Sequence, residues 1–257
     1  HVAHLEDQAG VIREKEALFK ALPADGAAMV NFDDPAIAGM ETPARRIIFS
    51  SRSNAHFTGR YKDAYPGGTL VLDDGLEIHL SQPGAHLAQN ALAAFALGVH
   101  LNVPREDIKA ALEAFVPPAG RGELLRLDGI TVIDDSYNAN LASTLAGLDT
   151  LLQVPATGRR IVVLGDMLEL GRFSQEHHRQ VGAFAASHGI DALLCYGPET
   201  RETYCTALDG GVDARHFTER SELAHVLSES VAAGDVVYVK GSRGMAMESV
   251  ISEAFPR

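Results

Sequence analysis

The hydrophobic pattern changes character part-way along the chain. From residue 130 onward, apolar runs of strand length recur at regular intervals: ITVID (130–134), RIVVLG (160–165), DALLCYG (191–197) and DVVYVKG (235–241), each followed by helical sequence. Such alternation predicts an α/β fold, a parallel sheet with helices on both faces, because successive parallel strands need crossover connections. Before residue 117 the order is less regular. A helix is expected over 6–22 (EDQAGVIREKEALFKAL), with strands over 27–32 (AAMVNF) and 46–50 (RIIFS). In 68–80 (GTLVLDDGLEIHL) two alternating runs meet across Asp73-Asp74-Gly75, which reads as a hairpin. AHLAQNALAAFALGVHL (85–101) and REDIKAALEAF (105–115) carry helical periodicity, the second with acidic residues in its first turn. VPPAGRG (116–122) interrupts with two prolines and two glycines, so the expected domains are 1–118 and 119–257.

Composition narrows the function classes. A chain of 257 residues that is 46% hydrophobic and 22% charged can bury a sizeable core. A net charge of −12 argues against nucleic-acid backbone binding, which needs clustered Lys and Arg, but leaves room for a nucleotide held by local loops. Cys195 and Cys205 have no metal-type spacing with His and make no disulfide framework, as fits a reducing, cytoplasmic setting. No apolar run approaches the ~18 residues of a membrane span. The first residue is His rather than Met, so a fragment of a longer protein is expected.

In an open parallel sheet, ligands bind beyond the carboxyl ends of the strands. Those ends read DDSYNAN (134–140), GDMLELG (165–171), YGPET (196–200) and KGSRGM (240–245). In KGSRGM, Gly241 and Gly244 are expected to permit tight turns and close backbone approach, with Lys240, Ser242 and Arg243 beside a helix start. That combination suits an anion, carboxylate or phosphate. An ordinary strand-to-helix turn with a solvated arginine accounts for it equally well. GDMLELG is weaker evidence, since Met167, Leu168 and Leu170 can simply pack. No strand leads into G-x-G-x-x-G, which excludes the usual dinucleotide site. In the first half His4, Glu6 and Lys15 form a possible metal cluster, although a lone His near a helix start is more often structural. His177–His178 reads as an exposed pair on an amphipathic helix. Asn138 or Asn140 can serve as the N-cap of LASTLAGL rather than meet a ligand.

Together, VIDDSYNANLAS (132–143), VVLGDMLELG (162–171) and YVKGSRGMAMESV (238–250) closely resemble the Mur ligases. VAHLEDQAGVIREKEALF (2–19), MVNFDDP (29–35) and GAHLAQNALAA (84–94) resemble that family's central domain, in the expected order. The resemblance implies a partial central (ATPase) domain followed by a Rossmann-like C-terminal domain. It also implies an ATP-dependent amide ligase of peptidoglycan synthesis, cytoplasmic and monomeric. The substrates implied are UDP-MurNAc-tripeptide and D-Ala-D-Ala, joined through an acyl phosphate, with ATP and Mg2+ as cofactors. Carried over by position, His4 and Lys15 (as its carbamate) are the metal-holding, catalytic pair. Asn90 is the adenine contact, Arg121 lies near the phosphates and Asp135 near the ribose. Asn138, Asn140, Lys240, Ser242 and Arg243 lie on the peptide-substrate side. The family's G-x-x-G-K-[ST] loop is absent from the chain, which alone is expected to bind ATP weakly and turn over none. A non-catalytic Mur-like binding module and a sibling ligase adding a different amino acid are the competing readings.

Overall fold

The computed structural model describes residues 8–52 and 55–256, so His4 and Glu6 lie outside the described residues. The chain divides into two compact units, His1–Val116 and Pro117–Arg257.

The first unit contains α1 (Gln8–Lys20), β1 (Ala27–Asn31), α2 (Pro35–Ala38), β2 (Arg45–Ser50), β3 (Phe57–Asp63), β4 (Gly68–Leu72), β5 (Glu77–Leu80), α3 (Ala85–His100) and α4 (Arg105–Glu113). Its sheet runs in sequence order, β1 to β5, with β1, β2 and β3 parallel and β4 and β5 added antiparallel. The β4–β5 hairpin turns where Gly75 takes φ +87°, a value that costs glycine little. Ala88, Ala91, Leu92, Phe95 and Ala96 form one buried stripe along α3. This 3.6-residue periodicity packs the helix on Phe49, Leu70, Leu72 and Ile78.

The second unit contains β6 (Glu123–Leu127), β7 (Ile130–Asp135), α5 (Leu141–Gln153), β8 (Arg160–Gly165), α6 (Ser174–Ser187), β9 (Ala192–Tyr196), α7 (Arg201–Asp209), β10 (Asp213–Phe217), α8 (Arg220–Ser230), β11 (Val236–Lys240) and α9 (Glu248–Ala254). The strand order is β10-β9-β8-β11-β7-β6, parallel throughout except that β6 pairs antiparallel with β7. Alternate residues of each central strand enter opposite apolar layers. Ile133, Val162, Leu193 and Tyr238 belong to one, and Val132, Val163, Leu194 and Val239 to the other. This two-sided burial is why these strands read as continuous apolar runs. From β8 the sheet grows outward through β9 and β10, and the chain then returns to lay β11 between β8 and β7. That order puts the reversal of winding at β8 and β11, and open parallel sheets bind ligands beyond the carboxyl ends of strands at such a point. Among the described residues no helix is long and apolar enough to cross a membrane.

Candidate functional site

The turn from β7 into α5 spends much of its polarity on itself. The Asp134 carboxylate accepts from the Ser136 amide (3.1 Å) and hydroxyl (2.5 Å), and both residues are buried. Asn140 caps α5: its Oδ1 accepts from the Ser143 amide (2.9 Å) while Ser143 Oγ accepts from the Asn140 amide (3.1 Å), a reciprocal capping box. Asn140 is therefore a cap first, as the competing sequence reading allowed. Asn138 is exposed, its Oδ1 accepting from the Ala139 amide. What the turn presents outward is Asp135, Tyr137 and Asn138.

The GRG segment lies against this turn. Gly120 and Gly122 take φ +74° and +81°, and a Cβ on Gly120 would stand 3.1 Å from Ser136 Oγ and 3.2 Å from the Tyr137 amide nitrogen. The Tyr137 amide donates to Gly120 O (2.9 Å) and the Gly122 amide to Asp134 O (2.8 Å). So fixed, the backbone delivers the Arg121 guanidinium to 4.0 Å from the centre of the Tyr137 ring. The Arg243 guanidinium lies 5.9 Å from the same ring and donates to Glu248 Oε1 (2.9 Å).

Asp135 and Lys240 are register partners on β7 and β11. Asp135 Oδ2 accepts from Lys240 Nζ (2.6 Å) and from the Tyr238 hydroxyl (2.8 Å); Tyr238 and Lys240 share one strand face, being two residues apart. Lys240 is 2% exposed. Burial lowers its pKa from the ordinary lysine range, Asp135 opposes that, and the nearby charge of Arg121 lowers it further. Burial, together with the Asp135 charge, raises the Tyr238 phenol well above its usual value. Lys240 thus acts on Asp135 rather than standing open to a peptide.

KGSRGM and GDMLELG are laced together. The Ser242 amide donates to Asp166 O (2.9 Å), and Ser242 Oγ accepts from the Leu168 amide (2.8 Å). Burial raises the Asp166 carboxyl, whose Oδ1 accepts from the Thr200 amide (2.8 Å). The sequence reading of His177–His178 as an exposed pair fails for His178, which is 1% exposed. Its Nδ1 donates to Ser174 O (2.8 Å) and its Nε2 accepts from the Met167 amide (3.1 Å), pinning the start of the GDMLELG loop. Of the glycines of KGSRGM, Gly241 permits the close backbone approach expected of it, without a left-handed conformation. Neither Gly241 nor Gly244 has positive φ; the left-handed residue is Ala246 (φ +48°). Gly241 is needed for close approach, since a Cβ there would lie 2.6 Å from Met247 Cγ and 3.1 Å from Gly165 Cα.

In the first unit, Asn90 is exposed on α3. Its neighbour Gln89 donates through Nε2 to Asp33 Oδ2 (3.2 Å). Asp33 also accepts from Ser50 Oγ (2.5 Å), the Ser51 amide (2.7 Å) and Ser51 Oγ (2.6 Å), at the carboxyl ends of β1 and β2. Burial works to raise the Asp33 carboxyl, but the hydrogen bonds from Ser50, Ser51 and Gln89 outweigh it and leave it lowered. Lys15 is exposed on α1. Among the described residues no group of three or more His, Cys, Asp or Glu is placed to hold a metal.

Arg121 and Arg243 thus meet at Tyr137, and the Asp135–Lys240 pair lies at the strand ends beside that turn, all in the second unit, whereas Asn90 and Lys15 belong to the first. Residues 1–98 match the Mur ligase middle domain, and residues 120–243 the Mur ligase glutamate ligase domain. The chain belongs to the Mur ligase family. The second Mur ligase match runs from Gly120 to Arg243, so it contains both the GRG segment and the KGSR turn. The UDP-N-acetylmuramoyl-tripeptide–D-alanyl-D-alanine ligase of Escherichia coli K12 is 34% identical over 263 residues, taking in 97% of this chain and 57% of that protein. The Bacillus subtilis 168 protein of the same name is 28% identical, over 98% of this chain and 56% of its own length. MurF from Acinetobacter baumannii shares the fold with a TM-score of 0.86 at 24% identity, over 100% of this chain and 57% of that one. The Thermotoga maritima MurF ligase solved in complex with ADP gives 0.85 at 21% identity, over 99% and 58%. The chain spans a little over half the length of these Mur ligase relatives.

Tyr137, Tyr238, Asp166, His178 and Asp33 are the members that sequence reasoning did not pick out. Tyr137 alone carried a local signal, an aromatic inside an otherwise polar turn.

Proposed function

We propose that this chain carries middle- and C-terminal-domain machinery of an ATP-dependent amide ligase of peptidoglycan synthesis, acting in the cytoplasm as a monomer. In the reaction the terminal carboxylate of UDP-MurNAc-tripeptide attacks the γ-phosphorus of ATP, releasing ADP and forming an acyl phosphate. The amine of D-Ala-D-Ala then attacks the acyl carbon, phosphate leaves, and the amine's proton passes to a base. The observation that carries this reading is the pair of guanidiniums at the β7–α5 turn: Arg121 and Arg243 by the Tyr137 ring, beside Asp135 held by Lys240, in a chain of net charge −12. The names of the relatives supply the substrates, and the ADP complex of the Thermotoga protein supports nucleotide use.

Within this reading Arg121 meets the phosphates, Asp135 the ribose, Asn90 the adenine, and Asn138 and Arg243 the dipeptide side. The domains are read as 1–118 and 119–257. An ammonium cannot ligate a cation, and Lys15, exposed on α1, fits Mg2+ only as a carbamate offering hard oxygen donors, with His4 read as the second ligand. Bound there, the ion would neutralise phosphate charge.

The test is ADP release by the full-length ligase. Release requiring both UDP-MurNAc-tripeptide and D-Ala-D-Ala supports the proposal. Release with a single amino acid in place of the dipeptide points to a sibling ligase, and binding without any turnover to a non-catalytic module.

A further inference from the structure

Tyr137 is 44% exposed and its ring belongs to neither apolar layer of the second unit, so the fold makes little use of it. Instead the ring lies within reach of two cations. Arg121 stacks on it at 4.0 Å, and Arg243, tethered to Glu248, stands 5.9 Å from its centre. The hydrogen bond from the Tyr137 amide to Gly120 O ties the ring's backbone to the segment that carries Arg121. Lys240 is close enough for the Arg121 charge to bear on it. Two guanidiniums held near one ring repel each other, and an anion between or beside them turns that cost into attraction. A phosphoryl or acyl-phosphate group has that chemistry.

We propose that Tyr137 is a positioning residue that couples the nucleotide side of the site to the amino-acid side, by holding Arg121 and Arg243 against one aromatic ring. This rests on the ligase reading above. Without the ring each long side chain must be ordered by the ligand itself, which lowers affinity on both sides at once.

The experiment is steady-state kinetics of the full-length ligase with Tyr137→Ala, Tyr137→Leu, Tyr137→Phe, Arg121→Ala and the Tyr137→Ala/Arg121→Ala double variant. Tyr137→Ala is expected to raise KM for ATP and for D-Ala-D-Ala, each by about three- to tenfold, with the melting temperature nearly unchanged. Tyr137→Leu keeps apolar bulk without a π face and should behave like Tyr137→Ala. Tyr137→Phe keeps the face and should restore both constants. For ATP the double variant should be no worse than Arg121→Ala. Unchanged constants in Tyr137→Ala and Tyr137→Leu, with a raised KM for ATP in Arg121→Ala, overturn the role of the ring and leave the ligase reading standing. An unchanged KM for ATP in Arg121→Ala overturns that residue's assignment, and this proposal with it.

Discussion

Lys240 and Asp135 face each other across the ends of β11 and β7, Nζ to Oδ2 at 2.6 Å, with the lysine 2% exposed and the carboxylate open on its outer side. The pair is asymmetric, and its two truncations should differ. Asp135→Ala leaves a buried ammonium without its partner and should cost about 3 kcal/mol of stability. Lys240→Met leaves a partly solvated carboxylate still bonded to Tyr238 and should cost about 1 kcal/mol. The double variant should recover most of the loss, since neither buried charge remains. In the full-length ligase, by contrast, it should keep the raised KM for ATP of Asp135→Ala, at least about tenfold. Thermal melts and ATP titrations of the four proteins separate the structural from the functional share of Asp135. A double variant as unstable as Asp135→Ala would contradict the ion-pair account.

Gly147 sits inside α5, where alanine is ordinarily better by about 1 kcal/mol. Here a Cβ would come 1.8 Å from the Tyr238 hydroxyl oxygen and 2.5 Å from Cζ of a fully buried ring. Gly147→Ala should therefore destabilise by about 1–3 kcal/mol through overpacking. It should also disturb the Tyr238–Asp135 hydrogen bond. Adding Tyr238→Phe removes the nearest atom and should return part of the loss in chemical denaturation. A stabilised Gly147→Ala would show that the ring moves aside freely.

How much of this was legible in the sequence depended on burial symmetry. β7, β8, β9 and β11 are covered on both faces, so their apolar runs stand out against any background. β6 (ELLRL) and β10 (DARHF) are the sheet's edges, and β3 (FTGRYKD) is half exposed; their charges broke the pattern and no strand was expected there. The site divides in the same way. Arg121, Asp135 and Arg243 stand in short motifs that the resemblance to the Mur ligases singles out. Tyr238, His178 and Asp33 owe their roles to partners 103, 11 and 17 or more positions away, which no local window contains. The polar crowding of DDSYNAN has a double origin: Asp134, Ser136 and Asn140 build the turn, and only the remainder is left over for a ligand.

Asp33 should give the first unit an acid-sensitive contribution to stability. Its folded pKa lies below the ordinary value of 3.8, so the unfolded chain takes up the proton first as pH falls. The contribution is fully present above about pH 5 and is lost as pH drops through the folded value. Asp33→Asn presents an amide NH2 to donors and should cost about 1–3 kcal/mol near pH 7. The gap from wild type should shrink at an acid pH below that lowered folded value, as the wild-type carboxyl itself takes up a proton. Urea melts at the two pH values measure this. A gap independent of pH would mean that the Ser50, Ser51 and Gln89 contacts do not depend on charge.

The connection between the two units offers proteases two unequal sites. Phe115 and Val116 are exposed, followed by Pro117 and Pro118. Arg121, only a few residues on, sits in backbone that is tied down: its own amide donates to Pro118 O (3.2 Å), the Gly122 amide to Asp134 O (2.8 Å), and Gly120 O accepts from Tyr137 (2.9 Å). A protease needs several residues in extended form at the scissile bond; Phe115, bonded to Leu112 O and Ser81 Oγ but exposed at the end of its helix, should open more readily than the GRG segment around Arg121. Brief chymotrypsin treatment should cut after Phe115 while trypsin at equal activity spares Arg121, as mass spectrometry of the early fragments will read. Replacing Gly120 by Ala forces a left-handed conformation on a residue with a side chain and crowds Ser136, which should loosen the segment and speed the tryptic cut. Early cleavage at Arg121 in the unaltered chain would mean that the GRG segment is a free linker, and that its stack on Tyr137 does not hold in solution.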